Sequence, residues 1–267
     1  MTPRSFVEPR AGRPTAATVF SGKDGRLATR FPGLLILCLV ILSAGTSCGG
    51  PKTATRDFDA GSEEETALEA KVKKGVTPLA DAEVAVIETA DFGTIVIELY
   101  PNLAPQMVER FKKLVGEGFY NGTNFHRIDP ALGIIQGGDP LSRDGNPDND
   151  GAGHSPYPNV PGEMSDVLFD RGIVGAARKG ATPAFEGQTA LTEAQARDTA
   201  NCQFYITLKR QPSFDNQYTV FGKVVQGLNA ADAISGAPVE EGSEHPAEKI
   251  VIKSITLQPR SRFVLGK

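Results

Sequence analysis

The stretch FHRIDPALGIIQGGD, residues 125–139, decides how this chain folds. Phe125, Ile128, Ile134 and Ile135 supply apolar side chains for two short strands, and Asp129-Pro130 with Gly133 punctuate the turn between them. Into that apolar setting the chain places His126, Arg127 and Gln136. A long polar side chain on a half-buried strand is costly unless something pairs with it. These three therefore need partners, and they are the first candidates for a site.

Outward from this pair of strands the chain continues to read as β. Glu83–Thr89 and Thr94–Leu99 form a hairpin around Ala90-Asp91-Phe92-Gly93. Pro105 opens a helix where its missing N–H does no harm, and Met107, Phe111, Leu114 and Val115 fall on one face of it. Gly116 and Gly118 stop the helix, and Tyr120-Asn121-Gly122 turns the chain into Phe125. Residues 140–166 carry Gly, Pro, Asn and Asp without periodicity and read as a long loop. Its run from Asp144 to Gly151 has oxygen ligands at alternate positions but lacks the Gly and Glu of a calcium loop, so a solvated acidic loop is the favoured reading. Gly172–Arg178 is a small-residue strand that lets another chain approach its backbone. Two further strands (204–208 and 219–225), a short helix (228–234) and a closing strand (250–257) complete the pattern. About eight strands and two helices predict a mainly β fold, a closed eight-stranded antiparallel barrel capped by two α-helices, over residues 81–258.

The amino terminus reads differently. Six Lys or Arg residues precede an apolar run, Leu34–Leu42. A membrane span needs about 20 apolar residues, so this run fits the core of a secretory signal instead. Small residues then lead to Cys48, which looks like the acylated first residue of a bacterial lipoprotein, although Gly45 stands where such signals carry an aliphatic residue. Ordinary secretion and an uncleaved anchor are the other readings. The expected organisation is a signal over 1–48, a flexible tether over 49–80, the domain, and an unstructured tail over 259–267. Without residues 1–48 the chain keeps 22 basic and 30 acidic residues, a net charge of −8. So acidic a body argues against nucleic acid as a partner. Cys202 would then be the only cysteine left in the domain, so no disulfide forms within it.

The residues give little support to covalent or metal-assisted hydrolysis. No serine stands in a G-x-S-x-G context, and His126, His154 and His245 lack metal-ligand spacing with each other or with Cys202. The FHR…QGGD run, with QFYITL at 203–208 and FDNQYTVFG at 214–222, instead resembles the three site segments of the cyclophilins, in the family's order. Cyclophilins are prolyl isomerases that need no cofactor. The resemblance implies that Arg127 is the catalytic residue, bonding substrate near the prolyl nitrogen and carbonyl, with Gln136 holding it and Gln203 lining the groove. It places Leu132, Ile134, Tyr205, Phe214 and Tyr218 around the proline, His126 beside them, and Ala177 and Arg178 on the strand that pairs with substrate. Three departures stand out: one extra residue between Arg127 and Gln136, Leu132-Gly133 in place of a large aromatic, and Ser213 where cyclosporin-sensitive members carry Trp. They imply an altered pocket floor and weak cyclosporin binding. Residues 181–200 form an insertion, with Thr192 and Gln195 as the capping box of a short helix. The expected partners are proline-containing unfolded or folding polypeptides and a membrane reached through lipid on Cys48, with the protein a monomer in the envelope. The rival reading is a catalytically weak binding module on the same scaffold.

Overall fold

The computed structural model describes residues 71–184 and 189–263. Cys48 and the signal-like segment lie outside them. Within the described residues eight strands build one sheet: β1 Glu83–Thr89, β2 Thr94–Leu99, β3 Phe125–Asp129, β4 Ile134–Gly137, β5 Ile173–Ala176, β6 Phe204–Thr207, β7 Val220–Gln226 and β8 Ile252–Pro259. Their order is β3-β4-β6-β5-β7-β2-β1-β8, and every pairing is antiparallel.

The expected closed barrel is corrected here. No ladder joins β3 to β8 among the described residues, so the sheet curls with two borders. The borders meet where β3 and β8 begin, at the isolated bridge Asn124–Val251. There the Phe125 N–H donates to Ile250 O at 2.9 Å and the Ile252 N–H to Thr123 O at 2.7 Å.

Alternation along the strands sorts the side chains onto two faces. Ile128, Ile135, Ile206 and Val174 stand in one row and enter the main core, together with Phe111, Phe125, Phe204 and Phe221. Helix α1, Pro105–Gly116, closes this core with Met107, Val108, Phe111, Leu114 and Val115, the face foreseen from spacing plus Val108. Its first turn has no side-chain cap from Ala104; the buried Glu163 carboxylate supplies one by accepting the Gln106 N–H (3.1 Å) and Met107 N–H (3.0 Å). Helix α2, Glu193–Arg197, lies in the insertion and starts at a complete Thr192/Gln195 capping box. Helix α3, Leu228–Ser235, turns Ala230, Ala231 and Ile234 inward. The three helices of the described residues are thus the two expected from the pattern, α1 and α3, and the short insertion helix expected from its capping box, α2.

The opposite face, over β4, β5, β6 and β7, is covered by the chain around Phe169 and Phe214. A second apolar cluster forms there from Ile134, Phe169, Ile173, Tyr205, Phe214 and Val220. Two boundaries also shift. Residues 71–80, assigned to the tether, lie along the domain: Val72 is buried, and the Lys73 backbone pairs with Met164 and Asp166 at 3.0 Å each. Residues 259–263, assigned to the tail, end β8 and turn back, with Arg260 paired to Glu98 and Phe263 packed beside Val84, Val86 and Val96.

Candidate active site

One row across four strands builds the centre of the site. Arg127 on β3 stands opposite Gln136 on β4, Gln136 opposite Tyr205 on β6, and Tyr205 opposite Gly175 on β5. Residues directly opposed in an antiparallel pair share a face. The guanidinium and the aromatic cluster are therefore neighbours on one side of the sheet.

The polar part is a chain of hydrogen bonds. Arg127 Nη1 donates to Gln136 Oε1 at 3.3 Å, Gln136 Nε2 to Gln203 Oε1 at 3.0 Å, and Gln203 Nε2 to the carbonyls of Gly151 (2.9 Å) and Gly153 (3.0 Å). Arg127 is further held by Asp129, whose Oδ2 accepts from Nη2 at 2.9 Å, and by Glu244, which accepts from Nε. The Asp129 carboxylate is buried, and its other oxygen accepts the Leu132 N–H at 2.8 Å, so it also fixes the β3–β4 turn. A guanidinium has five N–H donors. Three are engaged in these bonds, and one on each terminal nitrogen remains for a ligand.

The apolar part packs by rings. Tyr205 stacks on Phe169 at 6.1 Å and 22°, while Phe214 meets Tyr205 edge-on at 5.6 Å and lies tilted at 49° to Tyr218 at 4.9 Å. Leu132, Ala177 and Tyr218 pack partly buried against this cluster, and Ile134 lies within it. Burial pushes the Tyr205 hydroxyl well above its ordinary pKa, and Tyr218 adds to the shift. Tyr205 is thus a neutral wall.

Beside the row lies a cavity of about 280 Å³ lined by Gln136, Gln203, Ala177, Arg178 and the backbone around Gly151–Gly153. Strand β5 ends at Ala176, so Ala177 and Arg178 leave the ladder, with the Ala177 N–H bonded to Gln203 O at 3.0 Å. The Arg178 guanidinium lies 4.4 Å from the centre of the Tyr218 ring and pairs with Glu193 of α2. The insertion therefore braces this wall of the groove.

His126 is placed elsewhere. It lines a separate cavity of about 190 Å³ with Asp150, His245 and Lys249, and it is buried. Burial lowers its pKa to about 4, against the opposing pull of Asp139, so the ring is neutral at pH 7. Among the described residues no group of three or more His, Cys, Asp or Glu is arranged to hold a metal ion.

Sequence reasoning missed Asp129, Glu244 and Phe169. Asp129 had a signal, since it follows Arg127 by two residues on a strand and so shares its face. Glu244 had none, being 117 residues away from Arg127.

Comparison with known proteins agrees with this geometry. The sequence profile described as "Cyclophilin type peptidyl-prolyl cis-trans isomerase/CLD" matches residues 84–257. A Brucella suis protein named a probable peptidyl-prolyl cis-trans isomerase is 39% identical over 183 residues, covering 66% of this chain and 84% of that one. The peptidyl-prolyl cis-trans isomerase-like 3 of Gallus gallus is 33% identical, covering 65% of this chain and 95% of its own. A crystal structure of a Cryptosporidium parvum cyclophilin-type isomerase superposes with a TM-score of 0.55 at 28% identity, covering 66% of this chain and 97% of that one.

Proposed function

The chain belongs to the cyclophilin-type peptidyl-prolyl cis-trans isomerases, and we propose that Arg127 carries its reaction on X-Pro bonds of folding polypeptides outside the cytoplasm. Amide resonance sets a barrier of about 18–20 kcal/mol to rotation about the peptide bond. Rotation passes through a twisted imide whose nitrogen lone pair is localised and can accept a hydrogen bond. The two remaining N–H groups of Arg127 would donate there, while Tyr205, Phe214, Ile134 and Leu132 hold the proline ring. A million-fold acceleration requires about 8 kcal/mol. A charge-assisted donor that acts only on the twisted state, with restraint of the ring, supplies energy of that order.

The observation that carries this reading is the shared row of Arg127, Gln136 and Tyr205. On the far wall of the sheet the same guanidinium could not reach a proline seated against Tyr205. The test is two-dimensional exchange NMR on a proline peptide. The protein should speed cis–trans exchange, and Arg127→Ala should lose about a hundredfold or more of it with an unchanged far-ultraviolet spectrum. Equal activity in the variant would refute the mechanism. A peptide that binds without faster exchange would favour the binding-module reading, which Leu132-Gly133 at the pocket floor supports.

The site of action we propose is the cell envelope, with the domain tethered by lipid on Cys48 and monomeric. The apolar run 34–42 and the small residues before Cys48 support this. Metabolic labelling with palmitate should mark the protein, and Cys48→Ser should abolish the label. A labelled Cys48→Ser protein would remove the anchor from the proposal.

A further inference from the structure

We propose that Glu244 is a positioning residue for the isomerisation, a carboxylate brought from the chain between α3 and β8 to fix the plane of the Arg127 guanidinium. The inference rests on the role given to Arg127 above and adds what orients it. Arg127 stands on β3, a border of the sheet, with a strand on one side only. On the open side the Ile128 N–H donates to the backbone carbonyl of Glu244 at 2.8 Å. That bond seats residue 244 beside Arg127, and its side chain turns back to accept from Nε.

Asp129 and Gln136 alone hold the two terminal nitrogens. Two anchors define an axis, and the group can still rock about it. The third, on Nε, stops the rocking and so decides where the two remaining N–H bonds point. A donor that must meet a lone pair present only in the twisted imide gains from such fixing, because nothing has to reorient at the moment of rotation.

A purely structural role fits Glu244 poorly. Its side chain is 48% exposed, and an ion pair so placed adds little to stability because solvent screens it. The proline ring is gripped by the aromatic cluster, which Glu244 does not join. Loss of the carboxylate should therefore appear in kcat and leave KM and the fold alone.

The experiment compares full-length wild type, Glu244→Ala and Glu244→Gln by kcat and KM for a proline peptide. In parallel it follows the Nε–H resonance of Arg127, identified by its absence in Arg127→Lys. Expected are a roughly tenfold fall in kcat for Glu244→Ala with KM within twofold and an unchanged melting midpoint. Glu244→Gln, which keeps an acceptor oxygen, should recover most of the rate. The Nε–H should exchange with water at least tenfold faster in Glu244→Ala. An unchanged kcat, a rise in KM alone, or an unchanged Nε–H signal would overturn the proposal. A wild type that fails to speed exchange would overturn the isomerase role of Arg127 instead, and the Nε–H signal would still decide whether Glu244 fixes it.

Discussion

Burial takes His126 away from water and brings its pKa down to about 4, so the folded protein resists charging it. In the unfolded chain the imidazole returns to about 6.5. As pH falls through 6.5 the unfolded state takes up the proton first. The stability from this group is therefore complete above about 6.5 and drains away as pH approaches 4, by on the order of 3 kcal/mol. Urea denaturation of wild type and His126→Gln across that window should show the wild type alone carrying this loss. Parallel slopes would mean that His126 is not the titrating group. The same residue marks a limit of sequence reading. His126 directly precedes Arg127, yet the register shifts between Phe125 and Arg127, and the imidazole enters a cavity apart from the groove. Adjacency in sequence did not give adjacency in the site. Gly175 and Tyr205 show another limit. A Cβ on Gly175 would collide with the Tyr205 ring, so the glycine makes room for the tyrosine. Gly175 could be read as a small residue admitting a close approach, but what approaches is a side chain three strands from Arg127 in sequence order and known only once the strands are paired.

At the level of elements, the strands and α1 were legible because their signals are local. The hairpin of β1 and β2 has the boundaries read from its two β-rich runs and the turn between them, and α1 begins at Pro105 and ends at Gly116 as its punctuation requires. What fixes the 140–166 loop was not legible, because its anchors are distant. Glu163 reaches the start of α1, and its own N–H donates to Thr219 Oγ1 at 2.9 Å. Glu163→Ala would leave two helix N–H groups without their acceptor and the helix dipole without its counter-charge. The expected cost is about 2 kcal/mol in chemical denaturation, with kcat/KM unaltered, since Glu163 does not touch the groove. A loss under about 0.5 kcal/mol would show that water replaces the carboxylate. The β3–β4 turn has a comparable remote clamp. Gly133 adopts φ +62° beneath the alkyl chain of Lys209, whose Nζ donates to Ala131 O at 2.6 Å. The pocket floor, read in sequence as merely missing an aromatic, is tied down by a lysine two residues beyond the end of β6.

For the whole molecule, strand count and class could be read from the chain, but closure could not. Counting strands says nothing about whether the first and last find a common ladder, and here each keeps a border. Domain limits failed for a related reason. Lys73 and Val72 carry no periodic pattern, and only the fold shows that Met164, Asp166 and Leu103 await them. The border between β3 and β8 has one more consequence, because the residue assigned to the chemistry stands on it. A few backbone bonds stitch that margin, whereas the strands behind it are paired on both sides and packed around Phe111 and Phe204. Gentle warming should fray the margin while the interior stays intact. Catalytic rate should then vanish several degrees before the circular dichroism of the sheet, and coincident midpoints would show the margin to be as firm as the core. Thermal inactivation in this enzyme would be a local event, reversible on cooling, rather than the first sign of collapse.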